Sequence, residues 1–277
     1  TAASIAACDN DDAVKDGVID DPFRCAYDPK TLVGTKVGDD TFTAADAEVI
    51  RKVWEGPRTQ DGRFIWYGLE RGADMFPYAG TSGSGTSGSP LKGKPFSIAL
   101  EYWLYYLAQD AKWDASTLTY AGFEQLWTKS VEQYGAVIGT DDPDLTRFRD
   151  RGGKVIIYHG LADELIPAAG SIDYIKRVQQ RMGGEKATAK FARLFLVPGV
   201  NHGFNGPGAR PTGLNEAIIR WVEEGKAPDK LIAEKRDVSG KVIRTRPLFP
   251  YPQAAKYKRS GSTDEEKNFR SKDATRN

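Results

Sequence analysis

The sequence predicts an α/β fold with a parallel sheet from about residue 141 onward. Segments 154–158 and 192–198 are apolar and have the length of buried strands, and a segment with helical periodicity, 171–182, separates them. A further helix-like segment, 214–224, follows the second strand. Strands that alternate with helices are typical of a parallel sheet covered by helices, and catalytic residues of such sheets lie at the carboxyl ends of the strands.

The other elements are predicted from periodicity, caps and turn residues. Thr43 and Asp46 form a Thr-x-x-Asp cap at the start of an amphipathic helix. Residues 80–89 are rich in glycine and serine and are expected to form a mobile loop, and the polar segment 258–277 is expected to be an exposed, poorly ordered tail. In chain order we expect helices over 44–54, 95–108, 121–136, 144–151, 171–182 and 214–224, strands over 154–158 and 192–197, and a strand pair over 232–246.

Length and charge limit the classes of protein that fit. The 277 residues suffice for one large domain or two small ones, and 40% hydrophobic residues can form a sizeable core. The 39 basic and 38 acidic residues give a formal net charge of +1, so no broad attraction to nucleic acid or to an anionic membrane is expected. No apolar run reaches the roughly 18–20 residues that a bilayer span requires.

The two cysteines, Cys8 and Cys25, flank a segment rich in aspartate and glycine. Such a segment buries little apolar surface, and a disulfide would constrain it; two unrelated free thiols are the alternative. A disulfide indicates an oxidising compartment, so we expect a secreted or periplasmic protein. Residues 1–7 are small and apolar but lack the basic start of a signal peptide. We expect them to form the last turns of a helix that begins upstream.

An acid and a histidine follow the two predicted core strands. Asp163 comes after strand 154–158 and His202 after strand 192–198, which is the order of the last two members of a Ser…Asp…His triad in α/β-hydrolases. Alone, Asp163 could cap a turn and His202 could lie in an ordinary loop. The pair predicts a catalytic acid and base. His159, the other histidine, lies at the end of the strand and could support the site from behind or pack in the core; a structural role is favoured.

A nucleophile is not evident in the chain. The elbow motif Gly-x-Ser-x-Gly places serine on a tight turn between a strand and a helix. Ser82 and Ser87 each have serine rather than glycine two positions later, and neither follows an apolar strand. We therefore expect the nucleophile upstream of Thr1, or a polypeptide that is inactive alone.

The acidic loop between the cysteines offers oxygen ligands for Ca²⁺, which binds six to eight carboxylate and carbonyl oxygens on a turning loop. Asp12, Asp16 and Gly17 match three positions of an EF-hand, but Val14 and Phe23 stand where two further ligands would be required. The spacing alone is equally compatible with a solvated acidic turn.

Several of these segments together resemble the tannase and feruloyl esterase family. The similar segments are 8–25, 151–155, 159–163, 198–202 and 250–253, and the first is the most specific. The resemblance implies an α/β-hydrolase core with an inserted, mainly helical and irregular lid domain, and an activity on esters of aromatic acids such as ferulate and gallate.

The resemblance also implies roles for individual residues. Asp163 would be the acid and His202 the base, with the serine in a segment or chain before Thr1. Structural Ca²⁺ would be bound by five residues of the acidic loop, through the side chains of Asp9, Asp12 and Asp16 and the carbonyls of Val14 and Val18. The implied domains are the end of an N-terminal core segment with the calcium loop over 1–27, the lid over 28–140, the C-terminal part of the core over 141–257 and the polar tail over 258–277.

Two positions depart from the family pattern. The family has a cysteine directly after the catalytic histidine, bridged to a cysteine beside the serine, whereas Gly203 stands here; Phe249 likewise stands where a cysteine is expected. Aromatic residues that could contact the acid moiety are Phe64, Trp66 and Tyr67, for which a place in the lid core is the alternative.

The sequence therefore predicts a secreted serine esterase for small aromatic esters, with no nucleic-acid or membrane partner. A non-catalytic, calcium-stabilised ligand-binding protein of the same fold is the rival hypothesis. An esterase for synthetic aromatic esters is not distinguished from the first by sequence.

Overall fold

The helices of this computed structural model, which describes residues 1–78, 80–84 and 92–274, largely follow the predicted periodicity. The predicted segment 95–108 differs, because its second half, Trp103–Ala108, widens into a π-helix that ends at Gln109. The helices are α1 (Ala2–Cys8), α2 (Ala44–Glu55), α3 (Ser97–Tyr102), α4 (Tyr120–Ile138), α5 (Thr146–Asp150), α6 (Ala168–Arg181), α7 (Glu185–Thr188) and α8 (Leu214–Glu224).

The strands form small sheets. β5 and β6 pair in parallel, β7, β8 and β9 form an antiparallel sheet, and the other strands form antiparallel pairs. The strands are β1 (Lys36–Val37), β2 (Asp40–Thr41), β3 (Thr81–Ser82), β4 (Lys92–Gly93), β5 (Val155–Gly160), β6 (Ala192–Val197), β7 (Arg210–Thr212), β8 (Leu231–Arg236), β9 (Val242–Leu248), β10 (Gln253–Tyr257) and β11 (Phe269–Asp273).

The chain divides into two compact units. The first unit contains Thr1–Glu55, Tyr67–Ala73 and Pro143–Asn277, and the second contains Gly56–Trp66 and Asp74–Asp142. This division separates 28–55 and 67–73 from the rest of the predicted lid segment, so the lid boundaries 28–140 stay a prediction. Residues 85–89 of the predicted glycine and serine loop, with Ser87, lie outside the described residues.

The parallel pair is the centre of the first unit. Val155 lies opposite Ala192 and Gly160 opposite Val197, so the two strands end level. The side chains of β6 alternate between two buried clusters. Leu194 packs with Ile175 and Val178 of α6, and Phe195 packs with residues of α8, β8 and β9. The α/β fold is thus confirmed: α6 covers one side of the parallel pair, and α8 and the antiparallel sheet cover the other.

The second unit is rich in contacts between aromatic rings. Trp103 makes edge contacts with Trp113 and Phe123 at centroid distances of 5.9 and 6.2 Å. Tyr102 stacks on Tyr106 within the π-helical turn, with the centroids 5.2 Å apart. These contacts stabilise the second unit, because aromatic pairs stabilise packing beyond the area that they bury.

The start of α6 lies three residues before the predicted one. Its N-cap, Pro167, makes no side-chain cap hydrogen bond. The carboxylate of Glu70 instead accepts the N–H of Ala169, with Oε1 2.8 Å from the nitrogen. A negative charge at a helix N-terminus is favourable because unsatisfied N–H groups and the helix dipole are directed at it.

The segment after Lys256 corrects the expectation of an exposed tail. β11 pairs with β10 over five residues, and Phe269 is 5% exposed. The ring of Phe269 packs against Tyr257 and beneath the guanidinium of Arg246, at 5.5 and 4.6 Å respectively. The strand ladder and the buried ring of Phe269 thus hold residues 269–273 against β10.

Cys8 and Cys25 form the predicted disulfide, with Cα atoms 5.6 Å apart. Both cysteines are buried and pack with Ile19. The bond closes the acidic loop onto the end of α1. In the described residues, no helix combines the length and the apolar composition that crossing a membrane requires.

Replacing both Cys8 and Cys25 by serine is expected to lower the free energy of unfolding by about 3 kcal/mol, because the unfolded chain gains the entropy of an open loop. Urea denaturation of the complete protein measures this change. Reduction of the wild type should reproduce it, and the double variant should be insensitive to reductant. An unchanged unfolding midpoint in the double variant would contradict the assignment.

Candidate active site

Two loops run side by side beyond the carboxyl ends of β5 and β6. The N–H of Leu161 donates to the carbonyl of Val197 at 2.8 Å, and the N–H of Ala162 donates to the carbonyl of Val200 at 3.1 Å. The parallel register is thereby continued past the strands. Residues 163 and 202, which follow directly, are brought to the same edge of the sheet.

Gly160 permits this close approach. A Cβ atom at this position would lie 2.1 Å from the carbonyl oxygen of Val200 and 2.8 Å from its carbonyl carbon. Both atoms belong to the backbone and are held by the hydrogen bond from Ala162. Only glycine therefore fits where the loop after β6 passes the end of β5.

Asp163 and His202 form the pair that the sequence predicted. Oδ2 of Asp163 lies 3.2 Å from Nδ1 of His202. Oδ1 accepts the N–H groups of Leu165 and Ile166, both at 2.9 Å. The carboxylate is therefore held by its own turn through one oxygen and directs the other at the imidazole.

The pKa of Asp163 is lowered to about 2. Burial alone would raise it, but hydrogen bonds from His159, from the two backbone N–H groups and from His202 outweigh burial. An ionised carboxylate can only accept, so Nδ1 of His202 carries the proton and Nε2 keeps its lone pair. The His202 side chain is 44% exposed, against 10% for Asp163.

His202 is also held through its backbone, by a residue that sequence reasoning missed. Its N–H donates to Oε2 of Glu164 at 3.0 Å. Gly203 follows with φ of +72°, a left-handed conformation that costs other residues about 1–2 kcal/mol. Glu164 and the turn thus tie the histidine to the loop after β5.

No serine hydroxyl in the described parts of the chain forms a hydrogen bond with His202. Ser82 lies in the short strand β3 of the second unit. His159 is close to the pair: its Nε2 lies 3.4 Å from Oδ2 of Asp163. Sequence order alone gave no sign of this contact.

The acidic loop is a compact turn stabilised by its carboxylates. Oδ1 of Asp9 accepts the N–H groups of Asp16, Gly17 and Val18 at 2.9–3.2 Å. Oδ1 of Asp12 accepts the N–H of Val14 at 2.9 Å. In the described residues, no group of three or more His, Cys, Asp or Glu side chains is arranged to hold a metal ion.

Two charged contacts complete the loop. Oδ2 of Asp16 lies 2.6 Å from Arg246 and 3.0 Å from Arg244, which tie the loop to β9. Asp12 and Asp20 form a hydrogen bond with each other, and burial raises the pKa of both carboxyl groups. Two carboxyl groups in contact need a shared proton or a cation between them, so oxygen donors for a cation are available here.

The three aromatic candidates occupy different places. Trp66 packs within the second unit against Trp127, with the centroids 6.3 Å apart. Phe64 is 48% exposed and lies beneath the guanidinium of Arg58. Tyr67 belongs to the first unit, where its hydroxyl hydrogen-bonds Asp173.

A parallel strand pair with an acid after one strand and a histidine after the next is the arrangement found in the C-terminal half of an α/β-hydrolase. The family model described as Tannase and feruloyl esterase matches residues 1–272, and the chain belongs to this family. A solved tannin acyl hydrolase from Aspergillus niger is similar, with a TM-score of 0.84, 25% identity and coverage of 95% of this chain and 51% of that one.

Sequence relatives give the same assignment. A probable feruloyl esterase of Arthroderma benhamiae is 39% identical over 264 residues, which are 92% of this chain and 48% of the relative. A mono(2-hydroxyethyl) terephthalate hydrolase of Piscinibacter sakaiensis is 32% identical over 96% of this chain and 50% of its own length. The chain thus spans about half the length of these relatives.

Proposed function

We propose that this chain supplies the acid and the base of a serine carboxylic ester hydrolase. The hydrogen bond between Asp163 and His202 carries the proposal, because it fixes the tautomer that leaves Nε2 free to accept a proton. A serine hydroxyl attacks the ester carbonyl and gives its proton to Nε2, and the imidazolium then protonates the leaving alcohol. Water completes the cycle by the same route: His202 takes a proton from water as it attacks the acyl-enzyme, and gives that proton to the serine oxygen as the acid is released.

The proposed substrates are esters of aromatic, phenolic acids such as ferulate or gallate. The names of the relatives support this class, since they include feruloyl esterases, a tannin acyl hydrolase and a terephthalate ester hydrolase. All of these names describe an aromatic acyl group.

The nucleophile is proposed to lie outside residues 1–277, in a segment or chain that precedes Thr1. The described residues contain no serine bonded to His202, and the relatives are about twice as long. The edge of β5 that faces away from β6 also has no partner strand in the described residues, although β5 carries the acid. A further strand can add at this edge and bring a serine beside the pair.

Active-site labelling of the complete protein tests the proposal. A fluorophosphonate should modify one serine, and peptide mapping should find it in a Gly-x-Ser-x-Gly motif upstream of Thr1. The unlabelled protein should hydrolyse methyl ferulate or methyl gallate faster than methyl acetate, and the labelled protein should hydrolyse none of them. A labelled serine within 1–277 would contradict the upstream nucleophile, and a protein without esterase activity would contradict the function.

The disulfide supports the proposal of a secreted or periplasmic protein. The Cys8–Cys25 bond persists only where reducing systems do not open it.

We further propose that the acidic loop holds a structural Ca²⁺ through the side chains of Asp9, Asp12 and Asp16 and the carbonyls of Val14 and Val18. The contact between Asp12 and Asp20 supports this, because a divalent cation could replace the proton that the two carboxyl groups share. Bound there, the ion would stabilise the turn and take no part in ester chemistry.

Removal of calcium is expected to lower the melting temperature of the complete protein, because the carboxylates then repel each other. A scan with and without EGTA, together with bound-metal analysis, measures this effect. Asp12→Asn should lower both calcium content and the chelator response, whereas Asp237→Asn, in an exposed turn, should change neither. If EGTA alters neither melting nor metal content, the loop is an acidic turn.

A further inference from the structure

His159 lies behind the acid of the proposed pair and is much less exposed than His202. Its side chain is 11% exposed, against 44% for His202. Nδ1 of His159 lies 2.8 Å from the hydroxyl oxygen of Ser171 on α6. Nε2 lies 2.9 Å from the carbonyl oxygen of Ile166 and 3.4 Å from Oδ2 of Asp163. The ring is thus held at both nitrogens.

The position of one proton on His159 follows from these partners. A carbonyl oxygen can only accept, so Nε2 carries a hydrogen that it donates to Ile166. The same nitrogen lies 3.4 Å from Oδ2 of Asp163, so its hydrogen is directed at Ile166 and the carboxylate is a charge contact. In its charged form the ring of His159 is attracted to this carboxylate.

Both histidines lie close to the same oxygen atom of Asp163, Oδ2. Oδ1 of Asp163 is occupied by the N–H groups of Leu165 and Ile166, which leaves Oδ2 for the imidazoles. Oδ2 is 3.2 Å from Nδ1 of His202 and 3.4 Å from Nε2 of His159. A positive charge on His159 therefore interacts with the same carboxylate oxygen that orients His202, and weakens the negative potential that this oxygen presents to His202.

We propose that His159 is a positioning residue that acts on His202 through Asp163, by fixing the carboxylate and by setting how much of its charge the catalytic imidazole receives. The inference rests on the proposed function of Asp163 and His202. It assigns His159 no contact with the substrate. Of the two roles that the sequence left open for His159, it selects support of the site and specifies how that support acts.

The surroundings of His159 are built to hold it. Glu70 is 5% exposed, and its Oε1 caps α6 at Ala169, two residues before Ser171. Its Oε2 has no hydrogen-bond partner in the described residues. The carboxylates of Glu70 and Asp163 are the charged groups whose interactions act on the ring of His159. Residues distant in sequence thus converge on one imidazole.

These carboxylates also favour the charged ring. Burial lowers the pKa of His159, but the hydrogen bond and charge of Asp163, with Ile166 and Glu70, outweigh it, so the pKa is raised above its usual value. His159 consequently carries a positive charge in weakly acidic solution. A positive charge on His159 would oppose the second positive charge that forms when His202 accepts a proton.

The test uses His159→Gln in the complete protein, because glutamine keeps a neutral donor and removes the charge. We expect kcat to fall about tenfold with KM unchanged, since a small misplacement of catalytic groups is costly. The acidic limb of the pH profile of kcat/KM should move to higher pH by about half a unit or more, because His202 then protonates more easily.

Thr188→Val is a matched control in the same unit. Thr188 is 1% exposed, and its hydroxyl has no hydrogen-bond partner in the described residues. The variant should therefore change neither kcat nor the acidic limb of the pH profile of kcat/KM. If His159→Gln does not fold, Ser171→Ala is used in its place. Losing the hydroxyl beside Nδ1 disfavours the charged ring of His159. The acidic limb of the pH profile should therefore also move to higher pH, but by a smaller amount.

If His159→Gln has the wild-type kcat and an unchanged acidic limb of the pH profile, the inference is wrong. The variant His202→Ala shows whether the inference alone fails or the proposed function fails with it. If His202→Ala abolishes turnover while the His159 and Ser171 variants match Thr188→Val, only the inference fails. If His202→Ala retains turnover, the proposed function itself fails.

Discussion

Substituting asparagine for Asp163 is expected to lower kcat of the complete protein about 10⁴-fold, as loss of the carboxylate does in other serine triads. The turn at Asp163 dictates how the new amide sits. The N–H groups of Leu165 and Ile166 require an acceptor where Oδ1 now lies, so the asparagine oxygen must occupy that place. Its NH₂ group then faces Nδ1 of His202. The imidazole must accept there and protonate at Nε2, which removes the base.

Steady-state hydrolysis of an aromatic ester measures this effect, with KM expected to change little. Asp237→Asn is the matched control, because Asp237 accepts the N–H groups of Ser239 and Lys241 in an exposed turn where an asparagine oxygen can do the same. The control should retain wild-type kcat. A rate for Asp163→Asn within tenfold of the wild type would exclude Asp163 as the acid.

Substituting alanine for Gly160 is expected to cost about 1–3 kcal/mol of stability or more, and to lower kcat about 100-fold. The added methyl would meet the carbonyl of Val200 at 2.1 Å, and neither backbone can move alone. The two loops must separate, which lengthens the distance between Asp163 and His202. A loss of activity in fully folded variant protein is the characteristic result.

Thermal unfolding and kinetics below the transition separate the two effects. Gly93→Ala is the control, since a Cβ at that strand glycine has no heavy atom within 4 Å. We expect both melting temperature and kcat of the control to match the wild type. Wild-type kcat in Gly160→Ala would show that the loops tolerate separation.

The sequence was sufficient for those features that depend on short segments. The strands 154–158 and 192–197 are visible as apolar runs, and a parallel arrangement brings their ends together, so Asp163 and His202 could be paired before any coordinates. The disulfide followed from the poor burial capacity of the segment between Cys8 and Cys25.

Features set by long-range contacts could not be found in this way. Glu70 caps α6 at Ala169 across 99 positions, so no local signal placed the helix start or linked Glu70 to the site. His159 reaches Asp163 because of the direction of its ring, which strand order does not specify. The terminal segment that contains β11 is held by Phe269 and its contact with Arg246. The polar composition of this segment does not indicate that contact.

The interrupted path of the chain through the two units has a consequence for building hybrids between relatives. Residues 67–73 belong to the first unit, although segments of the second unit precede and follow them. Transplanting 56–142 as one block would import a foreign partner for α6 in place of Glu70. Specificity grafts should exchange 56–66 and 74–142 as two cassettes around the native 67–73, so that the recipient keeps its own carboxylate behind the reaction centre.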